Sequence, residues 1–156
     1  LYHHFGSKDG LFEEVVEKTL SIDAFLELLE KAVTEPATAD ARLRAYVETY
    51  LTAFPAEFLN PGLHLQDSTE VNGTSRQMVE AGVGEIYELT AELLREGVAS
   101  GAFREVDVET AAACMMGTVD SFVRARVLLG VDYDLARVRD CIVDLMRRGL
   151  TAGPAD

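Results

Sequence analysis

The chain opens with the sequence LYHHFGSKDGLF, residues 1–12, which predicts the end of one helix and the start of another. Residues 1–5 have the composition of a helix tail, and Gly6 can take the left-handed conformation that ends a helix. Ser7 can cap a second helix through its hydroxyl, with Asp9 beside the positive end of the new dipole. A short helix bearing aromatic and His side chains, a two-residue break and a long amphipathic helix indicate a helix-turn-helix recognition helix joined to a helical body.

Apolar stripes at helical spacing continue along the chain and predict an all-α helical bundle. The first long helix is expected from Lys8 to about Val33, ending before Pro36. After the second helix, Pro55 and the turn at 60–62 predict an irregular connector. The other helices are expected at about 40–53, 74–100, 108–129 and 135–148, with N-caps at Asp107 and Asp134 and terminating glycines at Gly101, Gly130 and Gly149.

The composition narrows the class of protein. The 156 residues carry 14 Lys and Arg against 27 Asp and Glu, and the net charge of -13 has the wrong sign for nucleic-acid binding over the whole surface. No apolar run approaches the ~20 residues of a membrane span. Cys114 and Cys141 lie in helical apolar patterns that predict buried thiols in a reducing cytoplasm. The sequence has no phosphate loop, no Cys/His metal framework and no nucleophile with a placed base, so it predicts neither an enzyme nor a cofactor.

Two stretches resemble the tetracycline-repressor (TetR) family of transcription regulators. The family's helix-turn-helix ends in a pattern like Leu-Tyr-x-x-Phe-x-Ser-Lys-x-x-Leu-Phe, and residues 1–12 fit it, with Gly10 where Glu is commoner. The sequence LREGVASGAFR, residues 94–104, resembles the join before the family's last two helices. The middle of the chain, about 35–76, carries no family signature, as expected of a region tuned to a particular ligand.

The resemblance implies a domain organisation. Residues 1–12 would be the C-terminal remnant of a helix-turn-helix domain running into the first long helix, 13–150 a ligand-binding and dimerisation domain, and 151–156 a tail. Because the sequence does not begin with Met, most of the DNA-binding domain is expected upstream of Leu1.

The resemblance also implies DNA contacts at the end of the recognition helix. The candidates are Tyr2, His3, His4 and Lys8. Lys8 stands beside a predicted helix N-terminus, so it offers a phosphate both a cation and free backbone N–H groups. The alternative is a polar helix end with no partner. The implied partner is a double-stranded DNA operator, with most base-reading residues expected upstream.

Large, adaptable side chains are frequent in the central helices. Aromatic residues with polar tips and Met suit a cavity for an apolar molecule with a few polar atoms, although a core position is the alternative for any one residue. The residues predicted to contact an unknown small-molecule effector are Phe25, Tyr46, Tyr50, Phe54, Phe58, His64, Met78, Tyr87, Met115 and Phe122.

Two other polar arrangements have simpler explanations. His64, Asp67 and Glu70 have the spacing of possible metal ligands, but a single His in a turn-rich connector is more often solvated, so no metal is predicted. Asp120 lies in the most apolar helix, where an unpaired charge would be costly. Arg124, four residues later, is its expected partner.

The last two helices carry broad apolar faces. Small residues along the first of them permit close helix approach, and family members pair these helices with those of a second subunit. The alternative is that both faces are buried inside one subunit. The residues predicted at a homodimer interface are Val119, Val123, Val127, Leu135, Val138, Ile142, Leu145 and Met146.

Together these features predict a cytoplasmic, homodimeric, ligand-responsive transcription regulator, a repressor released from DNA by a small molecule. An effector could act only by binding one conformation better than the other. The main alternative is an all-helical binding or scaffold module that never contacts DNA. A helical enzyme would need a site that the sequence does not contain.

The motif at residues 1–12 generates the first testable prediction. Replacing Lys8 with Ala in the full-length protein should weaken binding to all DNA sequences about equally, because a phosphate contact carries no base information. Gel-shift titrations of operator and scrambled duplexes would measure this. A loss confined to the operator would contradict the phosphate role, and unchanged binding to both would remove Lys8 from the interface.

Overall fold

The computed structural model describes residues 22–55 and 73–151. In this part of the chain there are five α-helices and no strand, which confirms the predicted all-α class. The helices are α1 (Ile22–Thr34), α2 (Ala39–Ala53), α3 (Gly73–Ala99), α4 (Val108–Leu129) and α5 (Leu135–Leu150).

Side-chain caps fix where the helices begin. The Thr38 hydroxyl accepts a hydrogen bond from the backbone N–H of Ala41, and so opens α2. Asp107 accepts from the N–H of Thr110 at 3.2 Å, and Asp134 caps α5 in the same way. Both Asp caps were predicted from the sequence and are confirmed. Each satisfies N–H groups that have no partner within the helix.

Two helix ends differ in their agreement with the sequence. Gly130 ends α4 as predicted, with the left-handed φ of 66° that glycine tolerates. The predicted stop at Gly149 is wrong, because α5 continues through that residue to Leu150. Arg104 explains the two additional residues: its N–H donates to the Leu150 carbonyl at 2.7 Å and its Nε to the Gly149 carbonyl at 2.8 Å. Leu150 also packs into the core.

Helix α2 lies at the centre of the bundle and packs against each of the other four helices. Its inward face consists of Leu43, Tyr46, Val47, Tyr50 and Leu51, all of which are buried. The sequence pattern predicted this face, and the structure confirms it. Because α2 is shared, a displacement of its inward face would be felt by every other helix.

The outward face of α2 is joined to α5 by three ion pairs. Arg44 contacts Asp140 at 2.8 Å, Arg139 contacts Glu48 at 3.3 Å, and Arg147 contacts Asp40 at 3.7 Å, in that order of increasing separation. Positions 40, 44 and 48 recur every four residues, so they share one side of α2. Each exposed pair contributes little alone, about 0–1 kcal/mol. As a set, this ion-pair ladder fixes the register of α5 on α2.

The turn between α3 and α4 depends on one close contact. Phe103 is buried against Gly97, and its N–H donates to the Gly97 carbonyl at 2.9 Å. A Cβ on Gly97 would lie 2.0 Å from Cδ2 of the Phe103 ring. Only glycine therefore lets Phe103 close this end of the core.

We predict opposite effects for two Gly→Ala substitutions in α3. Gly97→Ala should lower the free energy of unfolding by about 1–3 kcal/mol, because the methyl group overlaps Phe103. Gly84→Ala, where a Cβ meets nothing within 4 Å, should raise it by about 0.5–1 kcal/mol through helix propensity alone. Urea unfolding followed by circular dichroism measures both. Equal stability of the two variants would contradict this role of Gly97.

Candidate ligand site and dimer surface

Four of the predicted effector-contacting residues form one buried aromatic cluster. Tyr46 and Tyr50 lie one turn apart on α2, Phe54 follows directly after the helix, and Tyr50 and Phe54 meet Phe25 from α1. The ring of Tyr50 stacks on Phe54, with centroids 5.0 Å apart, and meets Phe25 edge to face at 5.5 Å. Phe25 and Phe54 are 5.2 Å apart, and Tyr46 and Tyr50 5.9 Å. The structure thus brings these residues together, with every neighbouring ring in contact.

The hydroxyl of Tyr46 is tied to α3. It lies 3.1 Å from Oγ1 of Thr90, and that hydroxyl in turn donates to the Ile86 carbonyl at 2.7 Å. A carbonyl can only accept and Thr90 has one proton, so Tyr46 must donate to Thr90. Burial raises the pKa of Tyr46, which keeps this donor neutral. Sequence reasoning missed Thr90, although its position four residues after Ile86 places it on the inward stripe of α3.

The hydroxyl of Tyr50 has no such partner among the described residues. Burial raises the pKa of Tyr50 most strongly, and the neighbouring Tyr46 and Asp120 raise it further, whereas Arg124 lowers it. The phenol is therefore a neutral donor in apolar surroundings.

The remaining described candidates have separate environments. Met115 is buried on the inward face of α4. Phe122 is partly buried and meets Tyr133 edge to face at 5.3 Å. The Tyr87 hydroxyl lies 2.8 Å from Oε2 of Glu109, and this hydrogen bond raises the pKa of Tyr87. Tyr87 therefore ties α3 to α4 at the surface.

The structure does not describe the side chains of the other predicted site residues. Phe58 and His64 fall between the two described ranges, and Tyr2, His3, His4 and Lys8 precede them. Met78 lies within α3, but its side chain is not described. Their roles stay predictions.

The predicted pair of Asp120 with Arg124 is confirmed, with Oδ2 and Nε 2.5 Å apart.

An open groove of about 620 Å³ separates α1 from α3. Its lining includes the apolar Leu26 and Leu89 and five acidic residues. Within the described residues, no group of three or more His, Cys, Asp and Glu could hold a metal ion. Because five of its lining residues are acidic, the groove presents a negative field that disfavours anions. Its acidic residues are Asp23, Glu27, Glu30, Glu85 and Glu88.

The eight predicted interface residues divide into three groups by burial. Val119, Val123, Val138 and Ile142 are buried within the single subunit. Val127, Leu135 and Met146 are half-buried. Leu145 is 62% exposed. Helical periodicity identified apolar positions but did not distinguish the core side of each helix from its outer side.

Other apolar residues of α4 and α5 are exposed. Leu128 and Leu129 are 46% and 76% exposed at the end of α4, in addition to Leu145 on α5. The prediction that Cys114 and Cys141 are buried in the subunit is wrong, because both are exposed. Cys141 lies one helical turn before Leu145, and Cys114 lies one turn before the exposed Gly117. We call this set of six residues the candidate dimer surface.

Within the described residues, no helix combines the length and the apolar content needed to cross a bilayer.

Comparison with known proteins gives one consistent family. The profile described as "Tetracyclin repressor-like, C-terminal domain" matches residues 36–124. The fatty acid metabolism regulator protein of Bacillus subtilis is 22% identical over 151 residues, spanning 96% of this chain and 77% of the relative.

Two solved structures share the fold. The transcriptional regulator FadR from Bacillus subtilis, in complex with stearoyl-CoA, has a TM-score of 0.66 at 25% identity, covering 96% of this chain and 80% of that one. The TetR family regulator PfmR from Thermus thermophilus has a TM-score of 0.71 at 28% identity, covering 97% and 81%. These relatives are transcription regulators rather than enzymes. The chain therefore belongs to the tetracyclin repressor-like (TetR) family of ligand-responsive, DNA-binding transcription regulators, which act as dimers.

Proposed function

We propose that this protein is a cytoplasmic repressor that leaves its DNA operator when it binds a fatty acyl thioester of coenzyme A. The observation that carries the proposal is the buried aromatic cluster, whose rings would contact a long apolar chain once they part to admit it. The FadR likeness supports the ligand class, because that regulator was solved with stearoyl-CoA. We assign the effector and dimerisation functions to residues 13–150, and a binding role without catalysis.

The aromatic cluster and the acidic groove suggest how such a ligand would be oriented in the bundle. Its apolar chain would rest against Phe25, Tyr50 and Phe54, which are the rings that α1 and α2 share. The coenzyme A portion carries phosphates, so the acidic groove between α1 and α3 would repel it. The headgroup would accordingly leave the bundle on another side.

The route from effector to DNA would run through two helices. Helix α1 follows, in the sequence, the segment that resembles the end of the recognition helix, and its Phe25 contacts Tyr50 of the cluster. Helix α2 carries the cluster on one face and the ion-pair ladder to α5 on the other. An effector that favours one arrangement of α1 and α2 would change the spacing of the two recognition helices in the dimer. A coupling of about 1–3 kcal/mol changes affinity roughly 5–150-fold.

The effector assignment predicts release of DNA. Stearoyl-CoA added to the full-length protein on a palindromic operator should lower DNA affinity at least tenfold, as measured by fluorescence anisotropy. Coenzyme A alone is the matched control and should have no effect, because it lacks the apolar chain. Undiminished DNA binding with saturating acyl-CoA of short, medium and long chains would reject this effector class.

The dimer surface gives a separate prediction. Leu145→Asp should raise the dimer dissociation constant at least tenfold, about 1.4 kcal/mol, because it places a charge in an apolar interface. Leu28→Asp on α1 is the matched control, since Leu28 is 48% exposed outside this surface. Sedimentation equilibrium measures both. A Leu145→Asp protein that dimerises like the control would place the interface elsewhere.

A further inference from the structure

We propose that Tyr50 recognises the polar end of the effector's apolar chain, by donating a hydrogen bond from its hydroxyl to an uncharged carbonyl oxygen. This rests on the proposed function, since it assigns one contact within the same site. The ligand group it requires is a neutral acceptor joined to a hydrocarbon chain, which a thioester supplies.

The ring of Tyr50 is held in one position. Phe54 stacks on it with 11° between the ring planes, and Phe25 meets it edge to face at 84°. Tyr46 lies one turn earlier on α2, with ring centroids 5.9 Å apart. Because the neighbouring rings hold the Tyr50 ring in place, its hydroxyl points in a fixed direction. A hydrogen bond from this hydroxyl to a ligand therefore costs little further side-chain conformational entropy.

The hydroxyl of Tyr50 is free to bind a ligand, unlike those of the other two tyrosines proposed for the site. Tyr46 is bonded to Thr90, and Tyr87 to Glu109. Within the described residues no hydrogen bond is made by the Tyr50 hydroxyl, although the residue is only 3% exposed.

A second observation concerns the exposure of this hydroxyl. In the described part of the chain, no fully buried side-chain nitrogen or oxygen lacks a hydrogen-bond partner. The unbonded oxygen of Tyr50 is therefore not completely sealed from solvent. A polar atom in this position can receive an acceptor group that enters along the rings.

The charges nearby favour a neutral acceptor over a carboxylate. Asp120 and Arg124 are the charged groups that act on Tyr50, and Asp120 has the larger effect on its pKa. Asp120 and Arg124 form an ion pair, with Oδ2 and Nε 2.5 Å apart, so Arg124 is not an isolated cation. A free fatty acid would place its carboxylate near Asp120, whereas a thioester carbonyl avoids that repulsion.

The experiment compares two ligands that differ in one oxygen. Stearoyl-CoA has the carbonyl, and S-octadecyl-CoA, its thioether analogue, has a methylene group in its place. Calorimetric titration of the full-length wild type should show about tenfold tighter binding of the thioester. Tyr50→Phe should bind both ligands equally. Tyr46→Phe removes a hydroxyl that is bonded to Thr90 and should keep the preference.

Each outcome has a distinct meaning. Equal binding of the two ligands by the wild type, or an intact preference in Tyr50→Phe, would overturn the role of Tyr50 and leave the effector class standing. Failure of the wild type to bind either ligand would reject the effector class and the Tyr50 contact together. If Tyr50→Phe does not fold, infrared spectra of carbonyl-labelled stearoyl-CoA on the wild type decide the question. A bound band at its apolar-solvent frequency would overturn the proposal, and a lower frequency would support it.

Discussion

A buried phenol must either hydrogen-bond within the protein or keep its oxygen in accessible space, and this requirement governs how α2 meets its neighbours. Tyr46 meets it through Thr90, which fixes α2 against α3. Tyr50, one turn later, has no partner of this kind among the described residues. The same helix therefore contains one polar contact that stabilises the fold and one hydroxyl that remains available to a ligand.

The two faces of α2 contact different helices. Inside, its rings pack on Phe25 of α1; outside, its charged residues pair with α5. Arg139 also holds the pKa of Asp140 below its ordinary value, which favours the ionised carboxylate in this part of the ladder. The proposed effector site and α5 thus both contact α2, so a displacement of α2 could couple them directly.

The sequence predicted the helices well because each signal was local. Asp107, Asp134 and Gly130 act on their own helix ends, and the stripe on α2 follows from spacing alone. The sequence did less well where a second element decides the outcome. Gly149 stays helical because Arg104 binds the last turn from outside. Val123 and Ile142 face the subunit core, whereas Leu145 and Cys141 face outward; periodicity defines a stripe but not what covers it. The different uses of Tyr46, Tyr50 and Tyr87 likewise depend on partners distant in sequence.

We propose that an apolar effector with a neutral polar head lies against the aromatic cluster of α1 and α2, away from the acidic groove lined by Glu27 and Glu85. A crystal structure of the full-length protein with stearoyl-CoA should show the acyl chain beside Phe25 and Phe54, and its carbonyl oxygen within hydrogen-bonding distance of the Tyr50 hydroxyl. An acyl chain bound elsewhere, with the aromatic cluster closed and unchanged, would contradict it.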